Sequence, residues 1–348
     1  MRRYLIRRLL LVIPTLFGII ALNFCVAQTA PGGPVDALLS QYHQRLDASG
    51  AIPGQNVWRG ANAPGAATRA ALARELGFDK PPLTRFWLML RGYLTFHLGR
   101  SLVDGTPVTT LILARLPVSL SLGLWSTLLV YAIAVPLGAA SAMRAGGRFD
   151  RLSRAMVLAL YAVPGFLVAI LGLNLFGQGG RWPALPLRGL TSGGAIDASL
   201  PGLVADYAWH MVLPTLAMTL GGLASLTMLT RNSVLAELPK LYVLTARAKG
   251  AGPGLALRRH ALPNALLLII AGLPAAATAI LFSQALLVEI IFSLPGLGLL
   301  GYDAILQRDD PVIFGTLYVY TLTSLVLRII GDLLYAWLDP RIDFDGPL

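Results

Sequence analysis

Long apolar runs, each closed off by charged or turn-forming residues, set the rhythm of this chain. A bilayer core needs roughly 20 mostly apolar residues per helix, and runs of that length recur about six times. They cover about Leu9 to Gln28, Leu116 to Met143, Leu152 to Phe176, His210 to Leu229, Ala265 to Phe292 and Pro311 to Leu338. All carry Pro or Gly, as at Pro136, Pro164, Pro214 and Pro274. A helix bundle tolerates these breakers, because neighbouring helices and internal water satisfy the backbone groups they free. No strand alternation competes, so the pattern predicts an all-α polytopic membrane protein of about six spans.

The segments between the runs refine the picture. Residues 1–28 form an N-terminal segment with the first span, 29–115 a long outer loop, 116–338 the main membrane domain and 339–348 a tail. In the outer loop, Asp47 to Thr68 is rich in Gly, Ala, Pro and Asn and reads as loop. Leu83, Phe86, Trp87, Leu90, Leu94 and Leu98 then follow at helical spacing around Arg85 and Arg91. That spacing predicts an amphipathic helix packed on the spans or on the membrane surface.

Composition agrees with burial in lipid. The chain of 348 residues is 55% hydrophobic and only 13% charged, with a mean hydropathy of +0.67, too apolar for a soluble domain. Its single cysteine, Cys25, lies in the first apolar run, so the chain alone builds neither a disulfide framework nor a zinc cluster.

The net charge of +11 falls between apolar runs and forms no aromatic-interleaved stripe, which argues against nucleic acid as a partner. It reads instead as topology. Lys and Arg of short loops stay on the cytoplasmic side. Arg2, Arg3, Arg7 and Arg8 then share that side with Arg144, Arg148, Arg151 and Arg154, and with Arg231, Lys240, Arg247, Lys249, Arg258 and Arg259. The opposite short loops offer Arg181, Arg188 and Arg308 beside Asp197, Asp206, Asp303, Asp309 and Asp310. Both termini are expected in the cytoplasm. The first run exceeds the roughly 7–15 residues of a signal-peptide core, so a retained span is expected.

Catalytic chemistry finds no foothold. His43, His97, His210 and His260 are isolated, with no H-E-x-x-H spacing, so no metal or other cofactor is expected. Gly296, Gly298 and Gly301 fit G-x-G-x-x-G but follow an apolar run instead of a strand, and are read as turn or packing glycines. Lys80, Lys240 and Lys249 precede Pro81, Leu241 and Gly250, so the phosphate loop G-x-x-x-x-G-K-[ST] is missing. If ATP drives this protein, another subunit binds it.

Ionisable groups inside spans are functional candidates by default. In span five Ser283, Gln284 and Glu289 are candidates for a pathway or gate, with a solvated interfacial role for Glu289 equally open. In span six Arg328 and Asp332 stand four apart on one face and read first as a structural clasp, then as a gate. An ion-coupled secondary transporter is the rival class these residues leave open.

The segment between the fourth and fifth runs is far longer than a turn needs, which implies a partner. Tyr242 to Lys249 forms a short helix in this reading, Gly250 stops it, and Gly252-Pro253-Gly254 makes a corner before Leu255 resumes helical periodicity.

Here the sequence resembles the permeases of bacterial ATP-binding-cassette importers, whose cytoplasmic loop reads E-A-A-x-x-x-G, nine residues, then I-x-L-P. Gly250 matches the glycine, Ala246 the second alanine, and Leu262 and Pro263 the closing pair, while Leu244, Thr245 and His260 depart from the pattern. The peptide and nickel branch carries the variant met here by Thr245 to Gly250, His260, Asn264 and Ala265. "RRLLLVIPTL", "APGGPVD", "LGFDKP", "FHLGRS", "RLPVSLSLGLWSTL", "FSLPGLGLLGYDAILQRDDPVIFG" and "DPRIDF" extend the likeness over nearly the whole chain, closest to importers of microcin C and oligopeptides.

The resemblance implies a bacterial inner-membrane permease for peptides, with dipeptide, nickel or glutathione permeases as alternatives. Its implied partners are a second homologous permease, two cytoplasmic ATPase domains that bind the ATP, and a periplasmic substrate-binding protein. It also implies that residues 231–264 are the ATPase-coupling loop, with Tyr242, Thr245, Ala246, Arg247, Ala248, Lys249, Gly250, His260, Leu262, Pro263 and Asn264 at its working surface.

Overall fold

The computed structural model describes residues 2–29, 80–192, 199–280 and 285–338, and among these the chain is helical apart from turns and isolated bridges. In chain order the helices are α1 (Arg2–Thr29), α2 (Pro82–Leu94), α3 (Val108–Met143), α4 (Arg148–Tyr161), α5 (Gly165–Phe176), α6 (Leu200–Glu237) and α7 (Leu241–Ala248). They continue with α8 (Pro253–Ala256), a π-helical turn over Leu257–Ala261, α9 (Leu262–Ala271), α10 (Leu273–Ala279), α11 (Ala285–Ile291), α12 (Leu297–Gln307) and α13 (Asp310–Leu338). Four of them, α1, α3, α6 and α13, are long and apolar enough to cross a membrane, and the number is six if each of two bent helix pairs counts as one span.

The two bends correct the expectation of continuous spans. The predicted third span is two helices, α4 and α5, meeting at 88°. Pro164 explains it, since proline lacks an N–H and pushes the preceding Val163 out of the helical region. The predicted fifth span bends by 46° at Gly272, just before Pro274 in the first turn of α10. Non-helical backbone at membrane depth survives where it lines a cavity or is buried in protein. Here a cavity of about 320 Å³ borders the break, lined by Tyr131, Gly222, Ser225, Ile269 and Gly272 among others. Pro136 and Pro214, by contrast, sit inside the unbroken helices α3 and α6.

The chain forms two compact units. The larger comprises the described residues of Met1–Ile6, Arg115–Leu299 and Thr323–Leu348, the smaller those of Arg7–Ala114 and Leu300–Leu322. In the larger unit α6 is the central post, packed by α4, α5, α9 and α11. Leu122, Val130, Ala169, Met218, Ile269 and Phe292 fill its core. Near the C-terminal end of α3, a Cβ on Gly138 would lie 2.6 Å from the Thr227 carbonyl oxygen, so α3 and α6 meet there backbone to backbone.

In the smaller unit α2 lies where the amphipathic pattern placed a helix. Phe86 packs edge-on against Phe17 and Phe24 of α1, and Tyr93 against Tyr318 of α13. Leu83, Trp87 and Leu94 remain exposed, and Leu98 is buried beyond the helix end instead of extending its stripe. Asp309 holds the following loop by accepting hydrogen bonds from Ser101 Oγ at 2.5 Å and from the Leu102 N–H at 3.1 Å.

Candidate functional site

The loop between α6 and α9 starts where α6 runs out. Lys240 caps α7, whose sole fully buried side chain is Val243, seated against Ala256 and Ala261. One anchor of this kind leaves the rest of α7 facing outward: Leu241 is 81% exposed, and Leu244, Thr245, Arg247, Ala248 and Lys249 are exposed with it. Ala246 is half-buried.

α7 ends in a left-handed cap. The Ala251 N–H reaches the Ala246 carbonyl and the Gly250 N–H the Arg247 carbonyl, both at 3.0 Å, with Gly250 at φ +91°. This is the Schellman arrangement, in which the residue past the helix end must turn left-handed, a conformation cheap only for glycine. Nothing lies within 4 Å of a Cβ at Gly250, so its requirement is conformational and not steric.

The chain turns at Lys249 to Gly252, earlier than the sequence suggested. Pro253 is the first residue of α8, where its missing N–H is no loss, so Gly252-Pro253-Gly254 begins a helix instead of forming the corner. Arg258, Arg259 and His260 then lie in the π-helical turn, a feature without a signal in the local sequence.

A polar network ties the loop together. Tyr242 donates to the Glu237 carboxylate and accepts from Asn264 Nδ2 at 3.0 Å, and Asn264 also donates to the His260 carbonyl at 3.0 Å. Lys240 Nζ pairs with Glu237 Oε1 at 2.6 Å. Burial, and then the Glu237 carboxylate, push the Tyr242 phenol above its usual range. Leu262 packs on Ala139, Ala142, Val234 and Ala265, joining the loop to the C-terminal ends of α3 and α6, while Pro263 is exposed. Glu237 and Lys240 were not among the expected site residues. Their signal was available in the i, i+3 spacing of Glu237 and Lys240.

The expected pathway residues are scattered. Ser283 and Gln284 lie outside the described residues. Arg328 is exposed and Asp332 half-buried, one turn apart on α13. Glu289 corrects the picture of a solvated interfacial carboxylate, because it is 0% exposed. It accepts hydrogen bonds from Ser119 Oγ at 2.7 Å and from the Leu299 N–H at 2.8 Å, while Ser119 Oγ accepts from the Leu297 N–H at 2.8 Å. Together they occupy the N-terminus of α12, where free N–H groups favour an anion. A Cβ on Gly296 would overlap the Glu289 carboxylate, and one on Gly298 would lie 3.0 Å from Oε2. The first two glycines of the G-x-G-x-x-G string, Gly296 and Gly298, thus make room for an internal carboxylate.

A second buried carboxylate escaped sequence reasoning. Asp150, near the start of α4, is 0% exposed. Its Oδ1 accepts from Ser141 Oγ and Arg231 Nε, each at 2.6 Å, and its Oδ2 from Arg231 Nη2 at 2.8 Å and the Gly146 N–H at 2.9 Å. Arg231 had been counted only as a topology charge. With the partners 81 positions apart in sequence, only the fold brings them together.

Comparison with known proteins sets these features in context. The model of the family described as binding-protein-dependent transport system inner membrane component matches residues 134–344. The inner membrane ABC transporter permease protein YejB of Escherichia coli O157:H7 is 46% identical over 99% of this chain and 100% of its own length. The peptidoglycan transport system permease protein YejB of Agrobacterium fabrum is 42% identical over 99% of both chains. The oligopeptide transport system permease protein AppB of Bacillus subtilis is 32% identical over 99% of this chain and 100% of its own. Among solved structures, an inward-facing MetNI methionine ABC transporter aligns with a TM-score of 0.51 at 16% identity, covering 66% of this chain and 96% of that one, a likeness of fold alone.

Proposed function

We propose a working mechanism from one premise: the chain belongs to the family of binding-protein-dependent transport system inner membrane components, and it is the permease subunit of an ABC importer in the inner membrane. In this mechanism it pairs with a second, homologous permease. Two cytoplasmic ATPase domains bind and hydrolyse the ATP, and an outer binding protein delivers the solute. Both termini then lie in the cytoplasm, the side to which the Arg-rich short loops assign them.

The observation that carries this reading is the outward face of α7. A helix outside the spans, held by one buried valine and presenting Leu241, Leu244, Thr245 and Ala248, is a surface made for a partner. Its small residues allow close approach, and Val243 with the Tyr242, Glu237 and Asn264 network would pass a push on α7 into α6 and α9. The solute is proposed to be a peptide or peptide-like compound, as the names of the oligopeptide and peptidoglycan permease relatives suggest.

The test is reconstitution in lipid vesicles with a second permease, an ATPase and a binding protein of the same importer family. Uptake of labelled peptides should require ATP and all four components. Uptake that runs on an ion gradient without ATP would replace this mechanism with ion coupling, and nucleotide binding by this chain alone would remove the assignment of ATP to the partner.

A further inference from the structure

A push on the inner loop is useful only if it also reaches spans that do not adjoin the loop in sequence. α6 runs without interruption from Arg231 to Glu237, a distance of about 9 Å at helical rise, and α7 follows it. α3 and α4 do not adjoin the loop in sequence, and apart from the Leu262 contact with α3 they depend on α6 to feel its movement. Their inner ends are tied to α6 at one level by three features: the Gly138 crossing, the apolar plug of Ala139, Ala142, Val234 and Leu262, and the Asp150 carboxylate.

Of the three, the carboxylate is the directional one. Arg231 grips Asp150 with two parallel N–H donors, and Ser141 and Gly146 fill the remaining acceptor positions. Arg154 Nε stands 3.3 Å from Oδ1. The Arg231 side chain is only 12% exposed. A bidentate, dry pair of this kind fixes angle as well as distance, which apolar contacts do not. Such a pair adds little to stability compared with an apolar replacement, so its presence calls for another reason.

We propose that Ser141, Asp150 and Arg231 are positioning residues for transport, a clasp that makes α3, α4 and α6 turn as one body when the inner loop is moved. The inference rests on the importer reading above and deepens it. With the clasp intact, displacement of α7 is delivered to α3 and α4. Without it, α6 yields alone and ATP is hydrolysed without moving solute.

The experiment uses the complete importer in vesicles and measures solute taken up per ATP hydrolysed, with the amount of assembled complex determined for each preparation. Arg231→Lys keeps the charge and loses the fork, Ser141→Ala removes one donor, and Asp150→Asn removes the pair. The expected result is graded, with ATP used per solute rising at least about fivefold in Arg231→Lys and Asp150→Asn, the low end of ordinary coupling strengths, and less in Ser141→Ala. A clasp that is only a staple would lower the amount of complex and leave the ratio alone. An unchanged ratio in Arg231→Lys and Ser141→Ala overturns the proposal even if Asp150→Asn fails to assemble. An unmodified complex that hydrolyses ATP and moves no peptide would overturn the importer reading of the solute first, and this inference with it.

Discussion

At the scale of single residues, two buried carboxylates show how charge is made tolerable inside an apolar chain. Glu289 and Asp150 are each fully buried, and each combines local donors with one residue from a sequence-distant helix, Ser119 for Glu289 and Arg231 for Asp150. Glu289 also dictates its neighbours, because the space for its carboxylate exists only while residue 296 lacks a side chain. Gly296→Ala should therefore destabilise the purified subunit by about 1–3 kcal/mol, the range for overpacking a filled site. Glu289→Ala, which strands the Leu299 N–H and Ser119, should cost about 1–3 kcal/mol as well. The double variant should be better than the sum of the two by at least about 0.5 kcal/mol, since removing the carboxylate makes room for the methyl. Thermal unfolding in detergent measures all three, and strict additivity would show that Gly296 is set by the turn and not by Glu289. Both glycine and glutamate were visible in the sequence. Their dependence on each other was not, because it arises from a turn that folds residues 294–299 back over α11.

At the scale of elements, α7 was legible almost to the residue. Its apolar and polar alternation, and Gly250 at its end, follow from local rules of helix capping, and the structure places the helix one residue from the expected bounds. The cap gives a test of coupling. Gly250→Trp must adopt a left-handed backbone at a cost of about 1–2 kcal/mol, and its ring would project from the exposed end of α7. Gly250→Asn tolerates that backbone with a small side chain. Uptake should fall about tenfold or more with Trp, as for a coupling of ordinary strength, and stay near normal with Asn, with both subunits at normal levels in the membrane. Immunoblotting of membranes beside an uptake assay measures this, and full uptake by the Trp variant would remove the end of α7 from the contact. The bends in the third and fifth spans were less legible. Pro136, Pro164, Pro214 and Pro274 look alike in sequence, yet only Pro164 and Pro274 accompany breaks. Whether a proline breaks a helix depends on what packs around the freed carbonyl, which no local window contains.

At the scale of the whole molecule, orientation is the remaining large question with a direct measurement. The charge bias of the short loops puts residues near Gly146 and Gly254 inside and those near Gly180, Asp197 and Arg308 outside. In a Cys25→Ser background, Arg181→Cys, Asp197→Cys and Arg308→Cys should react with an impermeant thiol reagent on intact spheroplasts. Arg148→Cys and Gly254→Cys should react only after the membrane is opened. The reverse pattern would overturn the orientation and move α7 away from any cytoplasmic ATPase. By itself the sequence determined that this chain is a helical membrane protein, roughly where its spans lie and to which family it belongs. Those properties are set by hydrophobic length, short-range capping and motif spacing, all of which are written within a few turns of chain. Tertiary structure alone decided that two spans are bent, that Glu289 is buried against Ser119 and α12, and that Arg231 grips Asp150 across 81 residues. A buried charge in this chain is explained by its partners, and partners that far apart are chosen by how the helices cross.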